Sequence, residues 1–410
     1  MVNISEFREY IIDEIINRTI FLAKSIDEIE SLLKYWNLKQ ENVIAVRTST
    51  KMRERYRNIY VYELKTKVRE FSTQNFFRNY LFTSGLFEKL RSSIFSKGIN
   101  LWMFRTYEWC KDLERIGNNK VLLIDYDLYI KLNNKIWALN LLEGNDYLRS
   151  HLEIRTKKLK TRYEFNTNST FYKLINDDYS LPWVISSQIS NGGDGVFKIA
   201  NHDDFKRAIS KIKTPVVKIE KFIENCIPVN QFAIIFFDKI IKYQPSRQII
   251  EEHEGEMRFK GSDFKLKIDE KIERKITKLT HFIGLELQKL GYRGIFGCDY
   301  IISDNEVYFI EINPRFQGST FLLTYNDDLF NPYILHMLSF YYGNYIVEFK
   351  NNMDICENQY VELKSDYSKY KYFSNIKEIE QQYKNESLDI RSAFDHIRLE
   401  PNVPQGFYLE

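Results

Sequence analysis

The stretch from Gly294 to Thr320, GIFGCDYIISDNEVYFIEINPRFQGST, decides how this 410-residue chain is read. Asp299-Tyr-Ile-Ile and Val307-Tyr-Phe-Ile have the aromatic and β-branched character of strands, and Ser303, Asp304 and Asn305 between them are turn formers. Antiparallel pairing across that turn sets Asp299 beside Glu311. Side chains alternate along a strand with period two, so Glu311 and Asn313 share a face, and Arg315 follows two residues later. Hard oxygen donors gathered in this way suit magnesium, which proteins hold with a few carboxylates plus phosphate oxygens, and an arginine on that face suits a phosphate clamp. An exposed hairpin with ordinary surface acids is the plainer alternative. Against it, Glu311 ends a strongly apolar strand, where a charge without a role is poorly tolerated.

Composition points to a soluble enzyme of more than one domain. A chain of this length with 44% hydrophobic and 15% aromatic residues has ample material for buried cores. Its 59 Lys and Arg are interspersed with 56 Asp and Glu, leaving a formal charge of +3, so nothing calls for a nucleic-acid partner. The basic run from Lys51 to Arg57 reads as a solvated face. Cys110, Cys226, Cys298 and Cys356 are far apart, without metal-ligand or redox spacing, which fits reduced thiols in the cytoplasm. Residues 1–20, MVNISEFREYIIDEIINRTI, read as an amphipathic helix and lack the basic start of a signal peptide. No apolar run approaches the roughly 18 to 20 residues that cross a bilayer, so membrane insertion is not expected.

Along the first 130 residues, Val43-Ile-Ala-Val-Arg, Ile59-Tyr-Val-Tyr-Glu and Val121-Leu-Leu-Ile-Asp-Tyr are strand candidates separated by helical stretches, the alternation of a parallel-sheet domain. Asn134-Lys135 followed by Ile136-Trp-Ala-Leu-Asn-Leu-Leu reads as an Asn-capped helix with a lysine in its first turn, where it can reach a phosphate. Leu181 to Ile199 reads as strand, glycine-rich turn, strand, and Gly192, Gly193 and Gly195 let backbone amides approach phosphates closely. Asn230 to Ile235 and Lys239 to Tyr243 read as paired strands, Phe259 to Phe264 as a substrate-side loop, and Lys271 to Leu290 as a packing helix. Asn331 onward begins another helix. The tail beyond it either caps the site or mediates self-association, as in a homodimer.

The segment around Glu311-Ile-Asn-Pro-Arg315 resembles the metal-binding end of the ATP-grasp superfamily, whose pattern is an acid and, one hairpin later, Glu-x-Asn-x-Arg. The resemblance spans Asn133 to Thr320, with the motifs in the same order. It implies an α+β fold in which two subdomains, 131–214 and 215–330, clasp the nucleotide. A Rossmann-like domain over 1–130 precedes them, and 331–410 is then a C-terminal helical extension. It further implies that Asp299, Glu311 and Asn313 hold two magnesium ions, with manganese as a substitute. Arg315 then supports the phosphates and the reacting carboxyl group, with Gln317 a substrate contact.

By the same resemblance Lys135 touches the phosphates, the Gly192, Gly193 and Gly195 loop covers them, and Glu220, Lys221, Phe222 and Ile223 recognise adenine. Glu224 and Asn230 both remain open for the ribose, and Arg247 and Gln248 are either substrate contacts or exposed polar residues at a strand end. The chain departs from the pattern at Ser186, where many such enzymes carry a lysine. Lys198 and Lys218 are the nearest alternatives, and the letters do not choose between them or a loss of affinity. The implied activity is an ATP-dependent carboxylate–amine ligase acting through an acylphosphate, with an amino acid or peptide as substrate. Ligation to a carrier protein, action on a ribosomal precursor peptide, and an inactive ATP-binding regulator are the alternatives.

Overall fold

Apolar runs without alternation belong to strands buried on both faces, and alternating runs to strands with one wet face. Both kinds occur in the computed structural model, which describes residues 8–47, 50–61, 100–111, 120–151, 156–159, 167–176, 181–189, 195–253, 255–264, 267–324, 330–341, 369–373, 398–400 and 405–409. Thr19–Ser25 (β1), Val43–Arg47 (β2), Tyr60–Val61 (β3), Asn100–Met103 (β4) and Lys120–Val121 (β5) form a parallel sheet in the order β3-β2-β1-β4-β5. Ile20, Phe21, Leu22 and Ala23 of β1 are all buried at its centre. This is the doubly wound order of a Rossmann-like sheet, with its switch point between β1 and β4.

Two sequence expectations change here. The helix expected over residues 1–20 covers only residues 8–16 among those described, ending in the π-helical turn Ile11–Ile16, and Thr19 already opens β1. The Thr19 hydroxyl donates to the Ile15 carbonyl at 2.6 Å and closes the turn, so the apolar run after it is free to enter the sheet. The strand expected over Val121–Tyr126 stops at Val121. Beyond it the Leu122 and Ile124 carbonyls accept from His336 and Thr106 side chains, at 2.8 and 2.9 Å, instead of from a neighbouring strand.

The rest is antiparallel. Thr156–Leu159 (β6), Trp183–Ser187 (β7), Val196–Ile199 (β8) and Val217–Lys221 (β9) make one layer in the order β8-β7-β9-β6. Ile227–Ile235 (β10), Ile240–Lys242 (β11), Ser246–His253 (β12), Glu256–Asp263 (β13), Gly294–Ser303 (β14) and Glu306–Asn313 (β15) make the other, with β11 paired to β10 and the main order β15-β14-β10-β12-β13. Glu256 opposite Phe197 joins the two. The helices that position the site are Tyr126–Asn133 (α1), Lys135–Glu143 (α2), His202–Lys211 (α3), Glu270–Lys289 (α4) and Pro332–Tyr341 (α5). Asn134 caps α2, its side-chain oxygen accepting from the Ile136 and Trp137 amides at 3.1 and 3.2 Å. Ile272, Ile276, Leu279, Ile283 and Leu287 of α4 pack in one core with Phe296, Cys298 and Tyr300 of β14, while α3 covers the other layer.

The expected loop at Phe259–Phe264 is instead mostly part of β13, where Lys260 is the extra residue of a β-bulge between Phe259, opposite Ile250, and Gly261, opposite Ile249. The expected helical extension is helical over α5. The described residues after it are strands, Lys369–Phe373 (β16), Arg398–Glu400 (β17) and Gln405–Leu409 (β18), of which β16 pairs with β13. Among the described residues no helix is long and apolar enough to cross a membrane.

His336 on α5 ties the parts together. Its Nδ1 accepts from the Ile295 amide at 3.0 Å, so Nε2 carries the proton and donates to Leu122 at the edge of the parallel sheet. Gly294 makes room for the ring: with φ at +89°, a Cβ there would lie 2.6 Å from His336 Nδ1. Burial lowers the His336 pKa to about 4. The unfolded chain takes up that proton near pH 6.5, so the neutral ring's contribution is complete above that pH. It is lost as pH falls through 4, by about 3 kcal/mol. Urea unfolding at pH 7, 5.5 and 4.5 tests this. His336→Gln is expected to be less stable at pH 7 but to lose less on acidification, and equal acid slopes would contradict the assignment.

Candidate functional site

The hairpin register fixes the chemistry. Asp304 and Asn305 take positive φ of 51° and 62°, the two-residue turn that Asp and Asn tolerate, and Ser303 pairs with Glu306. Counting back from that turn, past a bulge at Asp299/Tyr300, Asp299 lies directly opposite Glu311 and Gly297 opposite Asn313. The Asn313 amide nitrogen is 3.2 Å from Asp299 Oδ2 and 3.3 Å from Glu311 Oε1. Arg315 donates to Asn313 Oδ1 at 3.3 Å, and Asn230 of β10 donates to Asp299. Gly297 is needed because Gln317 lies over it: a Cβ would come within 2.3 Å of Gln317 Nε2.

Two half-buried carboxylates side by side repel, and the surrounding cations divide them. Burial, then the Glu311 charge, push Asp299 up to about 7 against its hydrogen bonds from Asn230 and Gln248. Glu311 also suffers burial, but Lys135, 3.0 Å from its Oε2, together with Lys218 and Arg315 holds its pKa below the usual carboxylate value. The Lys135 backbone amide donates to the Gln188 carbonyl at 2.9 Å, which docks the start of α2 against the end of β7.

These groups line one end of a cavity of about 860 Å³ between the two antiparallel layers. At its other end the chain leaves β9 through Lys221, Phe222, Ile223 and Glu224, with Leu181, Pro182 and Val184 at the start of the neighbouring strand β7 forming an apolar wall. The Phe222 amide donates to the Pro182 carbonyl at 3.0 Å and holds this turn against β7.

The structure therefore brings Lys135, Glu220, Lys221, Phe222, Ile223, Gln248, Asp299, Glu311, Asn313, Arg315 and Gln317 around one cavity. It separates others. Arg247 is exposed and outside the lining, since strand alternation turns Gln248 inward and Arg247 away. Asn230 sits on Asp299, which leaves Glu224 at the hinge as the ribose candidate. Gly195 turns the chain into β8 with φ at +76°; Gly192 and Gly193 lie outside the described residues. Of the two candidate replacements for a lysine at Ser186, Lys198 pairs with Glu252 at 3.5 Å and stacks over the Phe222 ring, whereas Lys218 lines the cavity.

Comparison with known proteins agrees with this arrangement: residues 155–319 match the family described as an ATP-grasp domain. The solved carboxyaminoimidazole ribonucleotide synthase of Aspergillus clavatus, complexed with ATP, superposes with a TM-score of 0.60 at 11% identity, covering 96% of this chain and 94% of that one. The chain has the ATP-grasp fold. A second solved structure, the biotin carboxylase–beta-gamma-ATP complex from Campylobacter jejuni, gives a TM-score of 0.59 at 13% identity, over 87% and 76% of the two chains. In sequence, the D-alanine–D-alanine ligase of Fusobacterium nucleatum is 26% identical over 209 residues, covering 46% of this chain and 70% of that ligase.

The paired acids carry a stability cost that one substitution exposes. Asp299 stays protonated to a higher pH in the fold than in the unfolded chain, so its penalty is absent below about pH 4 and complete above about pH 7, on the order of 4 kcal/mol. Asp299→Asn removes the charge but also an acceptor, so urea unfolding in EDTA at pH 8 is expected to show a gain of roughly 1–3 kcal/mol that vanishes at pH 4. A loss of stability at pH 8 would contradict this electrostatic picture.

Proposed function

We propose that this protein is an ATP-dependent carboxylate–amine ligase that forms an amide or peptide bond, with an amino acid or short peptide as substrate. The observation that carries the reading is the two-ended cavity. An apolar slot with a polar hinge at Glu220–Glu224 suits a purine base, and the acid end, flanked by Lys135 and Arg315, suits a phosphate chain. The relationship to a D-alanine–D-alanine ligase supports the peptide-forming version.

In the proposed reaction a carboxylate oxygen attacks the γ-phosphorus of ATP, the bond to the β-phosphate oxygen breaks, and ADP leaves. The amine lone pair then attacks the acyl carbon, and the acyl C–O bond breaks with release of phosphate. No protein nucleophile is required, so the residues position and neutralise. Hinge main-chain groups and Glu220 hold the base, and Glu224 holds the ribose. Lys135 and Arg315 face the charge that develops on the transferring phosphoryl group. Gln317 Nε2 is buried without a hydrogen-bond partner among the described residues, a donor available to a substrate oxygen.

Asp299, Glu311 and Asn313 fit magnesium, or manganese in its place, because they are hard oxygen donors whose paired negative charge the protein only partly neutralises. When bound, the metal would withdraw charge from the phosphate oxygens.

Incubation with ATP, magnesium and pooled amino acids or small peptides, with mass spectrometry of products, tests the reading. Substrate-dependent ADP and a condensation product are expected, and AMP in place of ADP would contradict the acylphosphate route. Glu311→Ala and Arg315→Met are each expected to lower kcat at least about 100-fold while circular dichroism is unchanged, the scale of losing one group that stabilises transition-state charge.

A further inference from the structure

We infer that Lys218, together with Ser186, forms the contact for the middle of the nucleotide's phosphate chain, a role that the pairing of two distant strands creates. The inference rests on the ATP reading above and deepens it. β7 and β9 pair antiparallel with Ser186 directly opposite Lys218. Directly opposite residues project to the same face with Cβ atoms about 5 Å apart, so the lysine stands over the serine. Both line the cavity.

Each of the two side chains has hydrogen-bonding capacity the described protein does not use. Lys218 is only 2% exposed, and burying an ammonium is costly unless it is compensated. Its Nζ lies 2.8 Å from Glu220 Oε2 and 2.9 Å from the Ile310 carbonyl, which accounts for two of its three donors. The Ser186 hydroxyl is buried, 3% exposed, and has no hydrogen-bond partner among the described residues. A buried hydroxyl with nothing to bond and an ammonium with a donor to spare, side by side on a cavity wall, form a ready anion contact.

Position says which anion. Glu220, one partner of Lys218, belongs to the hinge end. Ile310, the other, precedes Glu311, which pairs with Lys135 at the metal end. Lys218 therefore bridges the two ends, and a phosphate chain running from a base at the hinge to the acids passes beside it. The charge that many resembled enzymes place on β7 is here delivered from β9. Lys198 cannot do this, since it stays on the rim against Glu252 and Phe222.

The plainer alternative is a structural ion pair that holds Glu220 in place for the base. Calorimetric affinities for MgATP, MgADP and adenosine separate the two. Lys218→Met is expected to weaken MgATP and MgADP about tenfold or more while changing adenosine less than about threefold, because a charge-assisted phosphate contact is lost and the hinge is not. Moving the charge across the pair, with Ser186→Lys and Lys218→Ser together, is expected to restore MgATP affinity to within about threefold. Ser186→Ala, which leaves the ion pair intact, is expected to weaken MgATP and MgADP by about threefold and adenosine not at all, and it carries the test if Lys218→Met fails to fold.

Equal losses for adenosine and MgATP in Lys218→Met, or unchanged MgATP affinity in both single variants, would overturn the assignment. Failure of the wild-type chain to bind MgATP would instead overturn the nucleotide reading itself, and the assignment with it.

Discussion

Two carboxylates, Asp299 and Glu311, are held directly opposite each other on paired strands and half-buried at the wall of the cavity, and most of the site is arranged around that fact. Left alone, such a pair would protonate or force the strands apart. The protein answers with cations from three different elements. Lys135 comes from the first turn of α2, Lys218 from β9, and Arg315 from just beyond β15. Neutral amides from Asn230, Asn313 and Gln248 complete the surround. Glu311 is compensated more fully than Asp299, so the residual negative charge is concentrated where a divalent ion would meet it. The acids and the lysines and arginine around them are thus coupled electrostatically.

That arrangement has to be rigid, and the parallel sheet supplies part of the support. Phe316, the residue after Arg315, packs against Trp102 and Phe104 at ring distances of 5.2 and 5.9 Å, and against Tyr333 and His336 of α5 at 5.1 and 4.5 Å. The loop carrying Arg315 and Gln317 is therefore docked on the end of β4, beside the switch point of the parallel sheet. His336 adds a directional tie between that sheet and β14, and Gly294 exists in its present backbone conformation to admit it. The Rossmann-like sheet and the start of β14 share one core.

Local patterns were legible in the letters and nonlocal ones were not. The Asp-Asn turn that brings the two strands together is encoded within fifteen residues, but turn and period alone would set Asp299 opposite Ile310, and it is the bulge at Asp299/Tyr300 that places it opposite Glu311. The Asn134 cap and the apolar face of α4 are equally local. β1 is hidden in the letters because only Asn17-Arg18, a weaker stop than Gly or Pro, separates the helix from the apolar stretch, so helical spacing reads on through it. Phe259–Asp263 looked like a loop because a bulge uses the same small residues as a turn. Arg247 and Gln248 are adjacent, and only the register of β12 decides which one faces inward. Lys218 lies in the alternating strand Val217-Lys-Ile-Glu-Lys221, where the pattern reads it as one of an ordinary polar face. Its significance depends on its being opposite Ser186, a residue 32 positions earlier in sequence on another strand.

The central claim is that the half-buried acid pair is built to receive a divalent ion with a nucleotide. Calorimetric titration of ATP into the wild-type protein, once with saturating magnesium and once in EDTA, tests it most directly. With magnesium, tight binding of one nucleotide per chain is expected. In EDTA, ATP would meet Asp299 and Glu311 without a mediating cation, and affinity is expected to fall by about 100-fold or more. An ATP affinity that does not depend on magnesium would contradict the account.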